Sequence, residues 1–512
     1  MADTVESEIK LIASPTMLEA LRAHSLLAGA EQTTTLVTTY FDTLDRKLRH
    51  GGASLRIRDG GKGREQTLKL IAPGGSSVRR SEWNVAAASD LPDPSAFPDR
   101  PKTELVRLLD DGALEPVATT NIKRTTRRLH FGSSDIEIAF DRGTIRAGDR
   151  EEAVCEFEME LVDGQFSDIL ALALQLPLGP ELSWSVSSKA ERCYALAFDL
   201  QPAAGLAQPV NLLPSMNAAQ GFQAMAWNCL EQLLTNYPLV IASGNAEGVH
   251  QSRVAIRRLR AAWSLFGDVV DDDAATVLRA ELKAVATGLG PARDLHVLLG
   301  RTRTAVASGD HDVSELQAHL GTRRDAAVQS AQVLLAASPF QRLLFDLASW
   351  IENGKWLARI GETGGSRPLA PFAARVLSQR RRKLRRLGDC LADMPDPARH
   401  RLRIDVKKLR YAADFFESLY CGKATAKHRR AFSKGLGRLQ DSLGELNDMF
   451  VATQSQSALF EDLEPITAAK LAQQLDGLLH DHGQSRRKLL KTSQRWLTRT
   501  IDAPAWWKPV KP

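Results

Sequence analysis

The chain has 512 residues, of which 43% are hydrophobic and 25% are charged, an ordinary globular composition in a chain long enough for two or more domains. Residues 1–200 carry 24 basic and 31 acidic side chains, a balance of −7, whereas residues 201–512 carry 43 and 30, a balance of +13. Five scattered cysteines suggest neither a disulfide framework nor a zinc site, and no apolar run reaches the length of a membrane span. We therefore expect a cytoplasmic protein with no membrane association, in which an acidic half is joined to a basic half.

The first predicted strand has a charged face. Alternation along the strand places Glu6, Glu8 and Lys10 on one side, with Ile9 and Leu11 on the other. The solvated face of an antiparallel sheet is normally charged, so this row alone has an ordinary structural explanation.

The elements that follow mix helix and strand signals. They are a helix at 15–30, strands at 33–41, 55–58, 66–70 and 80–85, a short helix at 103–109, strands at 117–129, 135–141 and 154–162, and a helix at 166–176. The strand at 154–162 repeats the charged face of the first, because Glu156, Glu158 and Glu160 share one side. Two such rows facing each other would repel unless cations lay between them, and carboxylate oxygens suit Mg²⁺ or Mn²⁺.

There are roughly eight of these strands, and several carry charge on one face and apolar residues on the other. An open sheet would solvate that face, whereas a closed antiparallel barrel would turn it inward and form a charged tunnel. The basic residues available to such a tunnel are Lys10, Arg56, Arg58, Lys69, Arg80, Arg124, Lys189 and Arg192. A lumen that combines these residues with glutamates suits a polyanion carrying metal ions, and a triphosphate is such a polyanion.

The first 200 residues resemble a CYTH domain of the triphosphate tunnel metalloenzyme superfamily. The resemblance rests on an opening motif and seven further motifs in order. The opening motif is Glu-x-Glu-x-Lys at 6–10, and the others are Tyr-Phe-Asp-Thr at 40–43, Leu-Arg-Ile-Arg at 55–58, Thr-Leu-Lys at 67–69, Arg-Ser-Glu at 80–82, Ile-Glu-Ile-Ala-Phe-Asp at 136–141, the glutamate row at 156–160 and Ser-Lys-Ala-Glu-Arg at 188–192. The opening motif is weak by itself, but the ordered set is specific. It implies an eight-stranded antiparallel tunnel that cleaves triphosphates with Mg²⁺ or Mn²⁺.

The resemblance also assigns roles to residues of this sequence. Metal would be held by Glu6, Glu8, Glu156 and Glu158, and phosphate would be bound by the basic residues named above. The catalytic set would be Glu6, Glu8, Lys10 and Tyr40, with Tyr40 either positioning the attacking water or serving as a packed aromatic. Glu160 is either a further metal ligand or one side of a structural ion pair. The implied reaction is in-line attack of water on a terminal phosphoryl group.

A proline-rich linker at 201–216 separates this first domain, residues 1–200, from a helical second domain at 217–500 and a tail at 501–512. The second domain contains an internal repeat, because residues 250–260 align without gaps on residues 400–410. The fold class is therefore α+β and multidomain, with the eight-stranded antiparallel barrel followed by two duplicated helical bundles.

Each copy of the repeat places a histidine and three basic residues within a narrow arc of one helix face. The two sets are His250, Arg253, Arg257 and Arg260, and His400, Arg403, Lys407 and Arg410. A solvated basic stripe is the ordinary explanation for one helix, but two stripes in register favour an anion that both faces bind. Residues 217–500 resemble a CHAD domain, which implies binding of inorganic polyphosphate. The histidines lack a neighbouring second metal ligand, so phosphate contact or packing is the better interpretation.

The preferred interpretation of the sequence is an inorganic triphosphatase fused to a polyphosphate-binding domain. An adenylate cyclase or a thiamine triphosphatase could use the same tunnel, and a non-catalytic scaffold on polyphosphate granules is an alternative of another class. Binding of nucleic acid is disfavoured because neither stripe interleaves aromatic residues among its basic positions. The sequence leaves the oligomeric state and the metal preference open.

Overall fold

A computed structural model describes residues 4–60, 63–70, 79–307, 313–387, 391, 393–480 and 483–507. Within these ranges the side chains at 4–5, 79–80, 304–307, 424, 448–458, 478–480 and 483–485 are not described. In the described ranges, no helix combines the length and the apolar character that crossing a membrane requires.

The first part of the chain is built mainly from strands. They are β1 (Thr4–Ala13), β2 (Gln32–Asp42), β3 (Ala53–Asp59), β4 (Arg64–Leu70), β5 (Arg79–Ala86), β6 (Glu115–Phe131), β7 (Ser134–Ala147), β8 (Arg150–Asp163) and β9 (Leu182–Ser185). Five helices lie between or after them, namely α1 (Pro15–Arg22), α2 (Lys47–His50), α3 (Asp99–Leu109), α4 (Phe166–Ala173) and α5 (Lys189–Phe198).

Among the described residues of the second part of the chain, the regular elements are helices. Its helices are α6 (Ala218–Ser243), α7 (Ala246–Val270), α8 (Asp273–Gly288), α9 (Gly290–Ala307), α10 (Ser314–Ala336), α11 (Ser338–Asn353), α12 (Ile360–Thr363), α13 (Leu369–Leu387), α14 (Asp396–Phe415), α15 (Lys423–Leu459), α16 (Pro465–His480) and α17 (Gly483–Asp502). The two copies of the sequence repeat fall on α7 and α14.

The nine strands form one antiparallel sheet in the order β5-β4-β3-β2-β6-β7-β8-β1-β9. The sheet closes because β5 also pairs with β1, with Glu6 opposite Arg80 and Thr4 opposite Glu82. The ring therefore has eight strands, and β9 extends it as an extra strand beside β1. This architecture confirms the predicted eight-stranded antiparallel tunnel and the helical second half.

Alternation along the strands separates a charged interior from an apolar exterior. On β1, Ile9 and Leu11 are fully buried on the outer face, and Phe157 and Met159 on β8 are fully buried beside them. Burying side chains of this size stabilises the fold by about 2 kcal/mol each, which fixes the faces of both strands. A register slip of one residue would move these groups into the tunnel and the carboxylates outward.

Two local predictions need correction. The helix expected at 15–30 ends at Arg22, where Ala23 is its C-cap, and a separate 3-10 turn covers Ser25–Leu27. The strand β9 was not predicted, because its four residues are too short to show a period. The helix α5 begins where the sequence favours it, since Ser188 and Glu191 form a reciprocal capping box.

The chain divides into two compact units. One contains Met1–Gln208, Trp227–Ser252 and Gln332–Gly354, and the other contains Pro209–Ala226, Arg253–Ala331 and Lys355–Pro512. The first unit thus includes most of α6 and all of α11 in addition to the strands. The domain limits at 1–200, 201–216, 217–500 and 501–512 stay a prediction.

Candidate functional site

The closed sheet surrounds a cavity of about 710 Å³. The predicted site residues that line it are Glu6, Glu8, Lys10, Tyr40, Arg56, Arg58, Lys69, Arg124, Glu158 and Lys189, and Glu160 lines it as well. Glu156 is fully buried, and both Glu156 and Arg192 lie in the ionic cluster next to the cavity wall. The Arg80 side chain lies outside the described residues, although its backbone position opposite Glu6 is on the inward row.

The two glutamate rows lie side by side on one wall. Strands β1 and β8 are hydrogen-bonded neighbours, and their register places Glu8 opposite Glu160 and Lys10 opposite Glu158. The expectation that the rows face each other across the cavity was therefore wrong. Their repulsion is stronger in the observed arrangement, because directly opposed side chains in an antiparallel pair are only about 5 Å apart at Cβ.

At one end of this acidic wall, the described carboxylates outnumber the described cations near them. Lys69 Nζ lies 2.5 Å from Glu6 Oε2 and 2.7 Å from Glu82 Oε2, so one ammonium serves two carboxylates. Burial raises the pKa of Glu6, and Glu8 and Glu82 add to the rise against the opposing effect of Lys69. Burial likewise raises the pKa of Glu160 to about 7, with Glu8 and Glu82 contributing. This cluster would be relieved by a further cation.

A second acidic cluster lies next to the first and is largely neutralised. Carboxylate oxygens of Asp141, Glu156 and Glu158 come within 4.8 Å of one another, a spacing that one metal ion can span. Lys189 Nζ lies among them, at 2.5 Å from Glu156, 2.6 Å from Glu158 and 2.8 Å from Asp141. Although burial acts in the opposite direction, Lys189 and Arg124 hold the pKa of Glu158 well below its usual range.

Three guanidinium groups also line the cavity. Arg124 contacts both Asp141, at 2.6 Å, and Glu158, whereas Arg56 lies 3.5 Å from Glu82. Arg58 differs from both, because no described carboxylate lies within ion-pair distance of it and its Nε donates to Thr38 Oγ1 at 3.2 Å. Burial lowers the pKa of Arg58 to about 10, with Arg56 and Arg124 adding to the effect. Arg58 is half-buried, and a bound anion would offset its charge.

The remaining predicted residues have clear positions. Tyr40 is 4% exposed, packs in an apolar cluster with Ala118 and Ile122, and also contacts Arg56, so its position fits both proposed roles. Lys10 Nζ donates to the Ser187 carbonyl oxygen. Arg192 binds Glu156 at 2.6 Å and Glu152 at 2.6 Å.

Sequence reasoning assigned no role to Asp141 or Glu82. Both residues were visible inside matched motifs, at the end of Ile136–Asp141 and in Arg80-Ser81-Glu82. Their roles depend on partners from distant segments, since Asp141 meets Arg124 and Lys189 while Glu82 meets Lys69. Alternation alone gives the face of a residue and not its ion-pair partners.

Most side chains of the two basic stripes in the helical half are half-buried. On α7, Arg253 Nη1 donates to the Ala286 carbonyl at 2.6 Å, Arg257 is half-buried and Arg260 is exposed; His250 is half-buried. On α14, Arg403, Lys407 and Arg410 are half-buried, and exposed His400 contacts Asn447 Oδ1 through Nδ1 at 2.5 Å. The contact with Asn447 leaves Nε2 of His400 as the ring nitrogen that can face a ligand.

The helical half also concentrates positive charge where α7, α13 and α14 meet. Burial lowers the pKa of Lys408, and nearby Arg380, Lys383 and Arg260 add to the decrease against the opposing charge of Asp405. Asp405 itself binds Lys383 at 2.9 Å. We call Arg260, Arg380, Lys383 and Lys408 the interhelical basic patch. Four cations around one carboxylate leave this patch with a positive excess.

The closed antiparallel ring surrounds a cavity lined by acidic and basic side chains, which defines a charged-tunnel domain. A helical domain with two basic stripes follows it in the chain. Residues 5–194 match the CYTH domain and residues 224–455 match the CHAD domain. The chain therefore carries a CYTH domain followed by a CHAD domain.

The chain is similar to proteins known for each part. An inorganic triphosphatase of Haemophilus influenzae is 31% identical in a match 202 residues long, which covers 37% of this chain and 54% of that protein. The chain thus spans about half the length of this relative. The crystal structure of the CHAD domain from the plant Ricinus communis is 30% identical with a TM-score of 0.50, and the match covers 58% of this chain and 97% of that one.

Proposed function

We propose that the tunnel domain is a cytoplasmic, metal-dependent phosphoanhydride hydrolase that cleaves inorganic triphosphate to pyrophosphate and phosphate. The observation that carries the proposal is the polarity of the cavity. Arg58 is a half-buried cation with no described carboxylate within ion-pair distance, while Glu6 and Glu160 on another part of the lining have raised pKa values. A bound triphosphate with its divalent cation supplies both missing charges.

The donor set fits Mg²⁺ or Mn²⁺. Both are hard cations that prefer carboxylate oxygens, and the cavity and the adjoining ionic cluster provide carboxylates without thiolate or imidazole ligands among the described residues. We propose Glu6, Glu8, Glu156 and Glu158 as ligands, joined by Glu160 and Asp141 through their positions in the same two clusters. When bound, the cation would offset phosphate charge and make a bound water a better nucleophile.

The side chains of this protein would then bind and orient the substrate. Arg56, Arg58 and Arg124 present fork-shaped donors that match phosphate oxygens, and Lys10 and Lys69 add compact positive charge. Their role is to hold the terminal phosphoryl group in line with the attacking water and to stabilise charge on the leaving pyrophosphate. Lys189 also lines the cavity, so its ammonium would add to the positive charge that meets the phosphate oxygens.

Phosphate release tests this assignment. The wild-type chain is assayed with inorganic triphosphate, longer polyphosphate, ATP and thiamine triphosphate, each with Mg²⁺ and with Mn²⁺. The variant Arg58→Ala removes the unpaired cation, and Arg146→Ala, at an exposed ion pair with Glu151, is its matched control. We expect Arg58→Ala to raise KM for triphosphate by about tenfold or more and Arg146→Ala to leave it unchanged. Faster release from ATP or thiamine triphosphate would overturn the substrate assignment.

We propose in addition that the helical domain binds inorganic polyphosphate along the two stripes. The residues are His250, Arg253, Arg257, Arg260, His400, Arg403, Lys407 and Arg410. The interhelical basic patch supports the proposal because it adds positive charge that attracts a polyanion. A tethered module of this kind raises the local concentration of phosphate chains near the tunnel. A competition binding experiment between polyphosphate and duplex DNA tests this proposal. Polyphosphate that stays bound in excess duplex DNA supports it, whereas equal displacement by DNA would favour a nucleic-acid function.

A further inference from the structure

The short strand β9 contributes to the tunnel although it lies outside the closed ring. It pairs with β1, where Ser185 is opposite Lys10 and Trp184 is opposite Leu11. Alternation places Ser185 on the tunnel side with Lys10, and places Trp184 on the outer side with buried Leu11. Beyond Ser185, the residues Val186, Ser188, Lys189 and Ala190 also line the cavity.

Two cationic groups of the site depend on the position of β9. Two residues after the strand ends, the Ser187 carbonyl accepts the hydrogen bond from Lys10 Nζ. The next residue, Ser188, caps α5: its Oγ accepts from the Glu191 N–H at 3.1 Å, and its N–H donates to Glu191 Oε2 at 2.7 Å. Lys189 follows directly and enters the cluster of Asp141, Glu156 and Glu158. A shift of β9 would therefore move the acceptor of Lys10 and the starting point of Lys189 together.

β9 is an edge strand of four residues, and backbone pairing alone holds such a short strand weakly. The contacts on the outer face of β9 come from α6 and α11. The Trp184 ring stacks on Phe345 of α11 with centroids 4.3 Å apart and an interplanar angle of 18°, and Trp227 of α6 meets it edge-on at 6.4 Å. The hydroxyl of Tyr237 on α6 donates to the backbone carbonyl of Trp184.

The anchoring helices are themselves fixed within the same compact unit. Gln341 is fully buried on α11; its Nε2 donates to the Leu335 carbonyl at 2.8 Å, and its Oε1 lies 3.4 Å from the Tyr237 hydroxyl. Arg342 Nη1 donates to the Leu174 carbonyl, next to the end of α4, at 3.2 Å. Phe166 at the start of α4 packs against Trp227 at 6.2 Å. The outer face of β9 is thus held by a continuous set of contacts.

We propose that Tyr237 and Phe345 are positioning residues for the tunnel reaction. They hold β9 in register on β1, and through Ser187 and Lys189 they fix the geometry of the substrate-binding cations. Both residues lie within the segment 224–455 that matches the CHAD domain. The tunnel unit thereby includes side chains from the helical part of the sequence, so a chain cut after the tunnel would lack part of its own support. The proposal rests on the proposed triphosphatase function.

The kinetic test uses the full-length chain with Phe345→Ala, Tyr237→Phe and the conservative variant Phe345→Leu. We expect Phe345→Ala to raise KM for triphosphate by about tenfold and Tyr237→Phe by about threefold, with Phe345→Leu recovering most of the loss, because small misplacement of binding groups has large kinetic effects. The matched control is Phe372→Ala, which breaks a similar buried stack with Phe266, at 4.7 Å and 22°, in the other compact unit. The control should lower the melting temperature to a similar extent with KM unchanged.

Hydrogen exchange gives a second readout that does not depend on activity. The variants Phe345→Ala and Tyr237→Phe should lose amide protection at residues 182–189, whereas Phe372→Ala should not. Unchanged KM and unchanged exchange in both variants, or an equal rise of KM in the control, would overturn the positioning role. A wild-type chain that releases no phosphate from triphosphate would instead overturn the proposed function, so the two failures are distinguishable.

Discussion

Glu8 and Glu160 lie directly opposite each other on the hydrogen-bonded strands β1 and β8, and both side chains line the cavity. Like charges at such positions destabilise a sheet, typically by about 0.2–1 kcal/mol per pair in exposed sheets and by more when water is excluded. Burial is the largest cause of the raised pKa of Glu160, at about 7, and the charge of Glu8 raises it further. A site that retains this repulsion gains affinity for a cation that removes it.

The first prediction concerns pH. The pKa of Glu160 is about 7 in the folded chain against an ordinary value of 4.5, so the metal-free folded state binds the extra proton between these values. The resulting stability is fully present below pH 4.5 and is lost as the pH rises through 7. We therefore expect the melting temperature of the metal-free protein to fall as pH rises from 5 to 8. Part of this decrease comes from deprotonation of Glu160, and that part should be absent in Glu160→Gln. An identical pH profile in the variant would contradict the assigned strain.

The same proton competes with metal. Lowering the pH below the pKa of Glu160, about 7, should raise the Mg²⁺ or Mn²⁺ concentration needed for half-maximal activity, because the proton must leave before the carboxylate can bind a cation. Metal titrations of activity at several pH values between 6 and 8.5 measure this dependence. A half-saturating concentration that stays constant over this range would show that Glu160 is not near the metal.

The second acidic cluster should depend on Lys189. Replacing Lys189 by Ala removes one ammonium from three carboxylates, and we expect the free energy of unfolding to fall by about 3 kcal/mol without divalent cations. Added Mn²⁺ should restore part of the loss, since the oxygens of Asp141, Glu156 and Glu158 lie within 4.8 Å of one another. Urea unfolding with and without Mn²⁺ measures both effects. The control Arg146→Ala should change the stability by less than about 0.5 kcal/mol, and a variant as stable as the wild type would refute the role of Lys189.

Strands β6 and β7 approach each other closely at Gly143. A Cβ atom at this position would lie 2.0 Å from the Asn121 carbonyl oxygen, which is backbone and cannot move away cheaply. We expect Gly143→Ala to destabilise the tunnel by about 3 kcal/mol and to lower activity in proportion to unfolding. The contrasting variant is Gly437→Ala in α15, where a Cβ would meet nothing within 4 Å and should stabilise the helix by about 0.5–1 kcal/mol. Equal effects of the two substitutions would contradict the described packing.

Polyphosphate affinity should depend on charge at the interhelical basic patch. Arg260 is exposed on α7 and close to Lys408, so Arg260→Ala should weaken polyphosphate binding by about threefold or more and reduce its dependence on salt. Arg495→Ala, on α17 and not part of the interhelical basic patch, is the control for loss of one exposed positive charge. Titration calorimetry at two salt concentrations measures the effect. The same loss in both variants would indicate unspecific attraction to a basic domain.

The faces of the tunnel strands could be predicted from the sequence because alternation with period two decides which side chains point inward. Glu6, Glu8 and Lys10 line the cavity for that reason, and so do Arg56 and Arg58. The order of strands around the ring could not be derived in this way, so the neighbouring positions of β1 and β8 were missed.

Asp141, Glu82 and strand β9 were not predicted from the sequence, and the physical reason is the same for all three. Asp141 and Glu82 gain their roles from Lys189 and Lys69, which are distant in sequence and are brought close by strand pairing. The strand β9 is too short for a periodic signal, and its support comes from Phe345, more than 150 residues later in the chain. Local pattern cannot identify such long-range contacts.

The most direct test of the central claim is metal-dependent phosphate release from inorganic triphosphate by the wild-type chain and by Glu6→Gln and Glu158→Gln. Each substitution keeps the size of the side chain and removes its negative charge from one of the two acidic clusters. We predict that the wild type requires Mg²⁺ or Mn²⁺ and that each variant loses activity by about 100-fold or more while remaining folded. Variants that turn over triphosphate at the wild-type rate with the same metal dependence would contradict the account.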